Sequence, residues 1–106
     1  MPKYLFSISY SVEGMKGVSK EGGSKRREAA NQLINSVGGK LESFYFAFGD
    51  SDVYVIADLP DHVSAAALVT LVNSSGTTIG KTTVLLTPEE IDQAMKKTPQ
   101  YRPPGK

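Results

Sequence analysis

Cysteine is absent from the 106 residues, which excludes disulfides, thiol chemistry and cysteine-based zinc or iron–sulfur sites. Histidine occurs once, at His62, so neither a multi-histidine metal centre nor a haem site with a second histidine as base can be built. No metal site and no cofactor are therefore expected. No apolar run is long enough to span a bilayer, and Met1-Pro2-Lys3-Tyr4 leads directly into a strand pattern without an apolar signal region. A cytoplasmic location is expected, with no membrane partner. An excess of one charge is also missing. Twelve basic and eleven acidic residues leave a net charge of +1, too balanced to point to nucleic acid as a partner. The one basic cluster, Lys16, Lys20, Lys25, Arg26 and Arg27, is interleaved with Glu13, Glu21 and Glu28 and reads as a solvated helix face.

What is present suits one globular domain over residues 1–106. With 40% hydrophobic residues, a chain of this length can bury a core without covalent staples. Residues 3–11 alternate, with Tyr4, Phe6, Ile8 and Tyr10 on one face and Leu5, Ser7, Ser9 and Ser11 on the other, which predicts a strand. Residues 12–23 contain four glycines and are expected to form a mobile loop or a frayed helical turn. Ser24 is the expected cap of a helix whose apolar face is Ala29, Ala30, Leu33, Ile34 and Val37, ended by Gly38-Gly39. Residues 40–48 predict a second strand, with Leu41, Ser43, Tyr45 and Ala47 on one face and Glu42, Phe44, Phe46 and Phe48 on the other. Gly49-Asp50-Ser51-Asp52 is a hairpin turn into a third, nearly continuously apolar strand over 53–58.

Asp61 is the expected cap of a helix over 62–74, and residues 77–86, rich in β-branched side chains, predict a fourth strand. Thr87-Pro88-Glu89-Glu90 combines an N-cap threonine, proline at the first helical position and a glutamate that can return the cap bond. The order βαββαβ with a short terminal helix is the ferredoxin-like split βαβ arrangement, an α+β fold with a four-stranded antiparallel sheet. Right-handed crossovers place both helices on one face of that sheet. The other face is apolar enough that a second copy, packed sheet to sheet as a two-fold dimer, is the expected cover.

The stretch GGSKRREAANQLINSVGGKLESFYFAFGDSDVYVIADLPD, with SAAAL after it and KTTVLLTPEEIDQA near the end, resembles the GYD-domain family. The resemblance runs from Tyr4 to about Gly105 and implies membership of the dimeric α/β-barrel, ferredoxin-like group. The family turn carries Gly, Tyr and Asp. Here Gly49 and Asp52 match, and Ser51 stands where the tyrosine would be. Relatives of this barrel fold include small monooxygenases, isomerases and haem-binding enzymes, but a shared fold does not transfer an activity.

Tyr4, Tyr10, Tyr45 and Tyr54 are strand residues with polar tips, suited either to a ligand cavity or to core packing with satisfied hydroxyls. Lys81 interrupts an apolar and threonine-rich strand. Pointing inward it would bind an anionic or carbonyl group, and pointing outward it would protect an edge. Asp50 and Asp52 suit a tight turn at least as well as a carboxylate pair. His62, in the first turn after Asp61, reads as a surface residue; as a base it would need an apolar pocket and an orienting partner. Three classes stay open. One is a homodimer binding a small molecule, with cofactor-free oxygenase or isomerase chemistry as its enzymatic form. The second is a non-enzymatic assembly or regulatory module. The third is RNA binding, disfavoured because the basic, glycine-containing third-strand signature is missing.

Overall fold

The computed structural model describes residues 1–106. The elements are β1 (Lys3–Tyr10), α1 (Val12–Glu21), α2 (Gly23–Ser36), β2 (Lys40–Phe46), β3 (Val53–Asp58), α3 (His62–Ser74), β4 (Thr78–Leu85) and α4 (Pro88–Met95). All strand pairs are antiparallel, in the order β2-β3-β1-β4. This is the ferredoxin-like topology. Tyr4 and Phe6 of β1 and Val53, Val55 and Ala57 of β3 are buried together with Ile34 of α2 and Ala65 and Leu68 of α3. One face of the sheet therefore carries the core under α2 and α3, as the alternation in β1 predicts.

Val12–Glu21 of the glycine-rich segment form a regular helix of ten residues, where the composition leads to a mobile loop or a frayed helical turn. Ser11 accepts the Gly14 amide at 3.1 Å as N-cap, Glu13 and Lys20 complement the helix dipole at its two ends, and Met15 follows Ser11 with a backbone bond of 2.8 Å. Two glycines have local reasons. A side chain at Gly14 would collide with the Thr77 carbonyl oxygen, and Gly22, at φ +93°, ends α1 and opens α2 in one residue. Ser24 is consequently not the cap of α2. The helix starts at Gly23, and no side chain caps it.

In β2 a register shift between Leu41 and Ser43 breaks the simple alternation. Leu41 pairs with Ala57, Phe44 with Val55 and Phe46 with Val53, so all three belong to the helix side, while Ser43 and Tyr45 fall with Ile56 and Tyr54 on the other. The expectation that Leu41 shares a face with Tyr45, opposite the phenylalanines, fails because a bulge adds one residue and inverts everything before it. Phe48 lies beyond the strand and is fully exposed.

The helix-free face carries Leu5, Ser7 and Ser9 of β1, Tyr54 and Ile56 of β3, Ser43 and Tyr45 of β2, and Ile79, Lys81, Thr83 and Leu85 of β4. It is mixed rather than uniformly apolar. At one end Lys3 bridges Glu42 at 2.8 Å and Asp58 at 2.9 Å, tying three strands. These bonds, Glu42 first and Asp58 second, raise the Lys3 amine above its ordinary value of 10.5. A raised pKa means that the tie contributes below pH 10.5 and is lost as pH rises through the higher, folded-state value. Lys3→Gln should therefore lower the urea midpoint at neutral pH, with native and variant curves converging in strongly alkaline buffer. Parallel curves at every pH would remove this role.

At the C-terminus the full capping box forms, with Glu90 accepting from the Thr87 amide at 2.9 Å and Thr87 from the Glu90 amide at 3.1 Å. The helix it starts has no buried residue, and Ile91 and Met95 are 42% and 73% exposed. The radius of gyration, 16.9 Å, exceeds the roughly 13 Å of a compact chain this long. The molecule is elongated, 57 × 32 × 23 Å, and α4 adds no side chain to the core.

Candidate functional site

Asp61 follows Pro60 and caps α3, accepting the Ser64 amide at 2.8 Å. That backbone bond, aided by the Ser64 side chain, holds the Asp61 carboxyl below its ordinary value. The next residue, His62, thereby begins α3 at a determined place. β3 runs antiparallel to β1 with Ala57 opposite Tyr4, and the Leu59 amide bonds the Pro2 carbonyl. A helix starting at residue 62 must consequently lie over the beginning of β1. Tyr4, 1% exposed, meets His62 there with its hydroxyl 2.6 Å from Nδ1 and the two rings edge to face, centroids 5.9 Å apart.

This pair stands at a groove of about 360 Å³ between α3 and the β4 side of the sheet. Ala65, Ala66 and Val69 of α3 and Val84 of β4 give it apolar walls, and Thr70 and Thr82 add hydroxyls. The opening exists because the helix-facing positions of β4 are small: Thr78, Gly80, Thr82 and Val84 stand opposite Tyr10, Ile8, Phe6 and Tyr4. A second space of about 60 Å³, lined by Phe6, Leu33, Leu68 and Val72 among others, lies between α2 and α3. Nine of its ten lining residues are hydrophobic, which makes it a dry packing gap rather than a polar site. Val69 lines both spaces.

The five residues singled out from the sequence do not form one set. Tyr4 and Tyr10 lie on the helix side six residues apart in β1, about 20 Å along an extended strand. Tyr10 is half-buried against the core and lines a separate, smaller groove of about 170 Å³ beside α1. Tyr45, Tyr54 and Lys81 lie on the helix-free face, where Tyr45, Tyr54, Ser7 and Lys81 make one row across all four strands. Lys81 is exposed on the edge strand, whose outward Gly80 amide and carbonyl are taken by Asn73 at 2.6 and 3.2 Å.

His62 has the orienting partner that sequence reasoning left unidentified. The available signal was indirect: a capped helix beginning four residues after a strand that pairs with Tyr4. In the turn, Gly49 and Asp50 are exposed and Asp50 makes no side-chain hydrogen bond, whereas Asp52 ties three strands. Its carboxylate accepts the Tyr10 amide at 2.8 Å, its amide donates to Ile8 and its carbonyl accepts from Ala47, each at 2.8 Å. Asp52 thus holds the turn through its carboxylate and its backbone together, and no three metal-ligating side chains come together anywhere in the chain.

The family model of the GYD domain matches residues 4–95. The chain belongs to the GYD domain family. A comparison with curated proteins finds no match. The GYD match opens at Tyr4 and ends at Met95, so it takes in both members of the Tyr4–His62 pair, the turn held by Asp52, and α4. No helix of this GYD-domain protein is long and apolar enough to cross a membrane.

Proposed function

We propose that this GYD-domain protein is a homodimer, joined through its helix-free sheet faces, that binds a small and largely apolar molecule on the helix side of each subunit. The observation that carries the ligand reading is the groove of about 360 Å³ between α3 and β4, with apolar walls and Tyr4, His62, Thr70 and Thr82 as its polar groups. Ligand sites are typically concave, apolar and equipped with few polar groups, and this groove has that character. One tyrosine, Tyr4, lines it.

The dimer reading is supported by Leu5, Ile56, Tyr54 and Ile79 on a face that no element of the same chain covers. Four strands of six to eight residues give a projected face of about 450 Å², less than the roughly 800 Å² per partner of a standard interface. The protruding α4, with Ile91 and Met95 unpartnered, would supply the remainder. The row of Tyr45, Tyr54, Ser7 and Lys81 then belongs to the subunit contact. A second reading, an assembly module, is favoured by the same exposed stripe of α4.

Sedimentation velocity at micromolar protein, together with an ethylbenzene titration followed by the methyl resonances of Val69 and Val84, tests both halves. A dimer whose Val69 and Val84 methyls shift saturably is expected. A monomer rejects the interface, undisturbed methyls reject the ligand site, and species larger than a dimer favour the assembly module.

A further inference from the structure

We infer that Tyr4 locks His62 as a hydrogen-bond donor, and that the groove therefore selects uncharged apolar molecules bearing a carbonyl oxygen. The inference rests on the ligand-binding half of the reading above and adds the ligand's chemistry and the atom that recognises it. Tyr4 is 1% exposed, and its hydroxyl has a single partner, Nδ1 of His62 at 2.6 Å. A phenol hydroxyl as buried as this one is best satisfied by giving its proton to an acceptor, and Nδ1 is the one within reach. Nδ1 then accepts, so in neutral imidazole the proton resides on Nε2.

No protein group bonds Nε2. The hydroxyls of Thr70 and Thr82, which line the same groove, have no protein hydrogen-bond partner either. The polar complement of an otherwise apolar groove is thus a fixed N–H donor with two adaptable hydroxyls, which suits an acceptor oxygen on an apolar body. Charge selects between oxygens. Asp61, ionised and adjacent in sequence to His62, disfavours a carboxylate, and no lysine or arginine lines the groove to offset it. A ketone, aldehyde, ester or amide oxygen fits; a free acid does not.

Two matched ligands and two variants test this. Acetophenone and ethylbenzene have similar size and differ in the carbonyl, and benzoate supplies the charged analogue. Binding is followed by the methyl shifts of Val69 and Val84, and the His62 tautomer by long-range ¹H–¹⁵N correlation. The native protein is expected to carry the neutral-form proton on Nε2 and to bind acetophenone about three- to tenfold more tightly than ethylbenzene, the range of one net hydrogen bond. Benzoate should bind more weakly than acetophenone. His62→Ala should abolish the preference for acetophenone while ethylbenzene still binds. Tyr4→Phe should give a mixture of tautomers and a reduced preference, a change that a purely structural role for Tyr4 would not produce.

A native proton on Nδ1, or equal affinity for acetophenone and ethylbenzene, overturns the inference while leaving ligand binding intact. Failure of both hydrocarbon and ketone to bind overturns the ligand reading with it. The groove lies within one chain, so a monomeric protein that still prefers acetophenone would retain the site and lose the dimer.

Discussion

On the proposed sheet-to-sheet dimer, a Leu5→Thr/Ile56→Thr double variant is expected to shift sedimentation from dimer to monomer at micromolar concentration. The two side chains are register partners on β1 and β3, half-buried at the centre of the helix-free face. Threonine keeps the β-branched shape that strands favour, so the sheet itself should persist. What is removed is the apolar area left for a partner, about 1 kcal/mol for each half-buried side chain. A two-fold interface counts each substitution twice, so four side chains together cost about 4 kcal/mol, or roughly a thousandfold in Kd. Val63→Thr is the control: Val63 is exposed on α3, away from the sheet face, and its replacement should leave association unchanged. A double variant that dimerises as tightly as the native protein would place the contact elsewhere on the molecule.

Asp52→Ala is expected to cost about 1.5–3 kcal/mol in urea unfolding, the range for a hydrogen bond to a charged group. Its carboxylate takes the Tyr10 amide in a half-buried setting, directly before Ser11 caps α1. Losing that acceptor frees the end of β1 and the start of α1 together, so exchange of the Tyr10 and Gly14 amides should accelerate. Asp50→Ala, at an exposed position with no side-chain bond, should stay within about 0.5 kcal/mol of the native protein. Equal costs at the two aspartates would mean that the carboxylate–amide bond does not hold the turn. The comparison also separates the family turn's aspartate, which has a structural duty in this chain, from Ser51, whose hydroxyl bonds nothing.

The strand β1 is legible in its uninterrupted alternation, and β3 in a nearly continuous apolar run that follows a turn signal. The caps at Asp61 and Thr87 were legible for a different reason: the residues that satisfy the first-turn amides are neighbours in sequence. Both errors in secondary structure come from effects outside the local window. Composition argued against helix at 12–23, yet Gly14 is required by the approach of the Thr77 carbonyl, sixty-three residues further along the chain. In β2 the bulge at Glu42 reassigns Leu41 from one face to the other, and Glu42 itself turns to Lys3, a residue of a strand not adjacent to β2.

The candidate site divides in the same way. In the sequence Tyr4 reads as a strand tyrosine and His62 as a surface residue at the start of its helix, and His62 is indeed exposed. Their meeting depends on where β3 delivers the chain to α3, which no spacing of two residues 58 positions apart expresses. Tyr45, Tyr54 and Lys81 were grouped with Tyr4 and Tyr10 by chemistry alone, and the sheet separates them onto opposite faces.

By itself, the order of residues determined the split βαβ topology, the faces of the two central strands and the starts of the helices capped by Asp61 and Thr87, because periodicity and capping are read from residues one to four apart. The tertiary structure alone decided the face of Leu41, the close approach of Thr77 to Gly14, and the pairing of Tyr4 with His62. Each of those depends on a contact between distant segments, and such contacts exist only once the sheet has assembled.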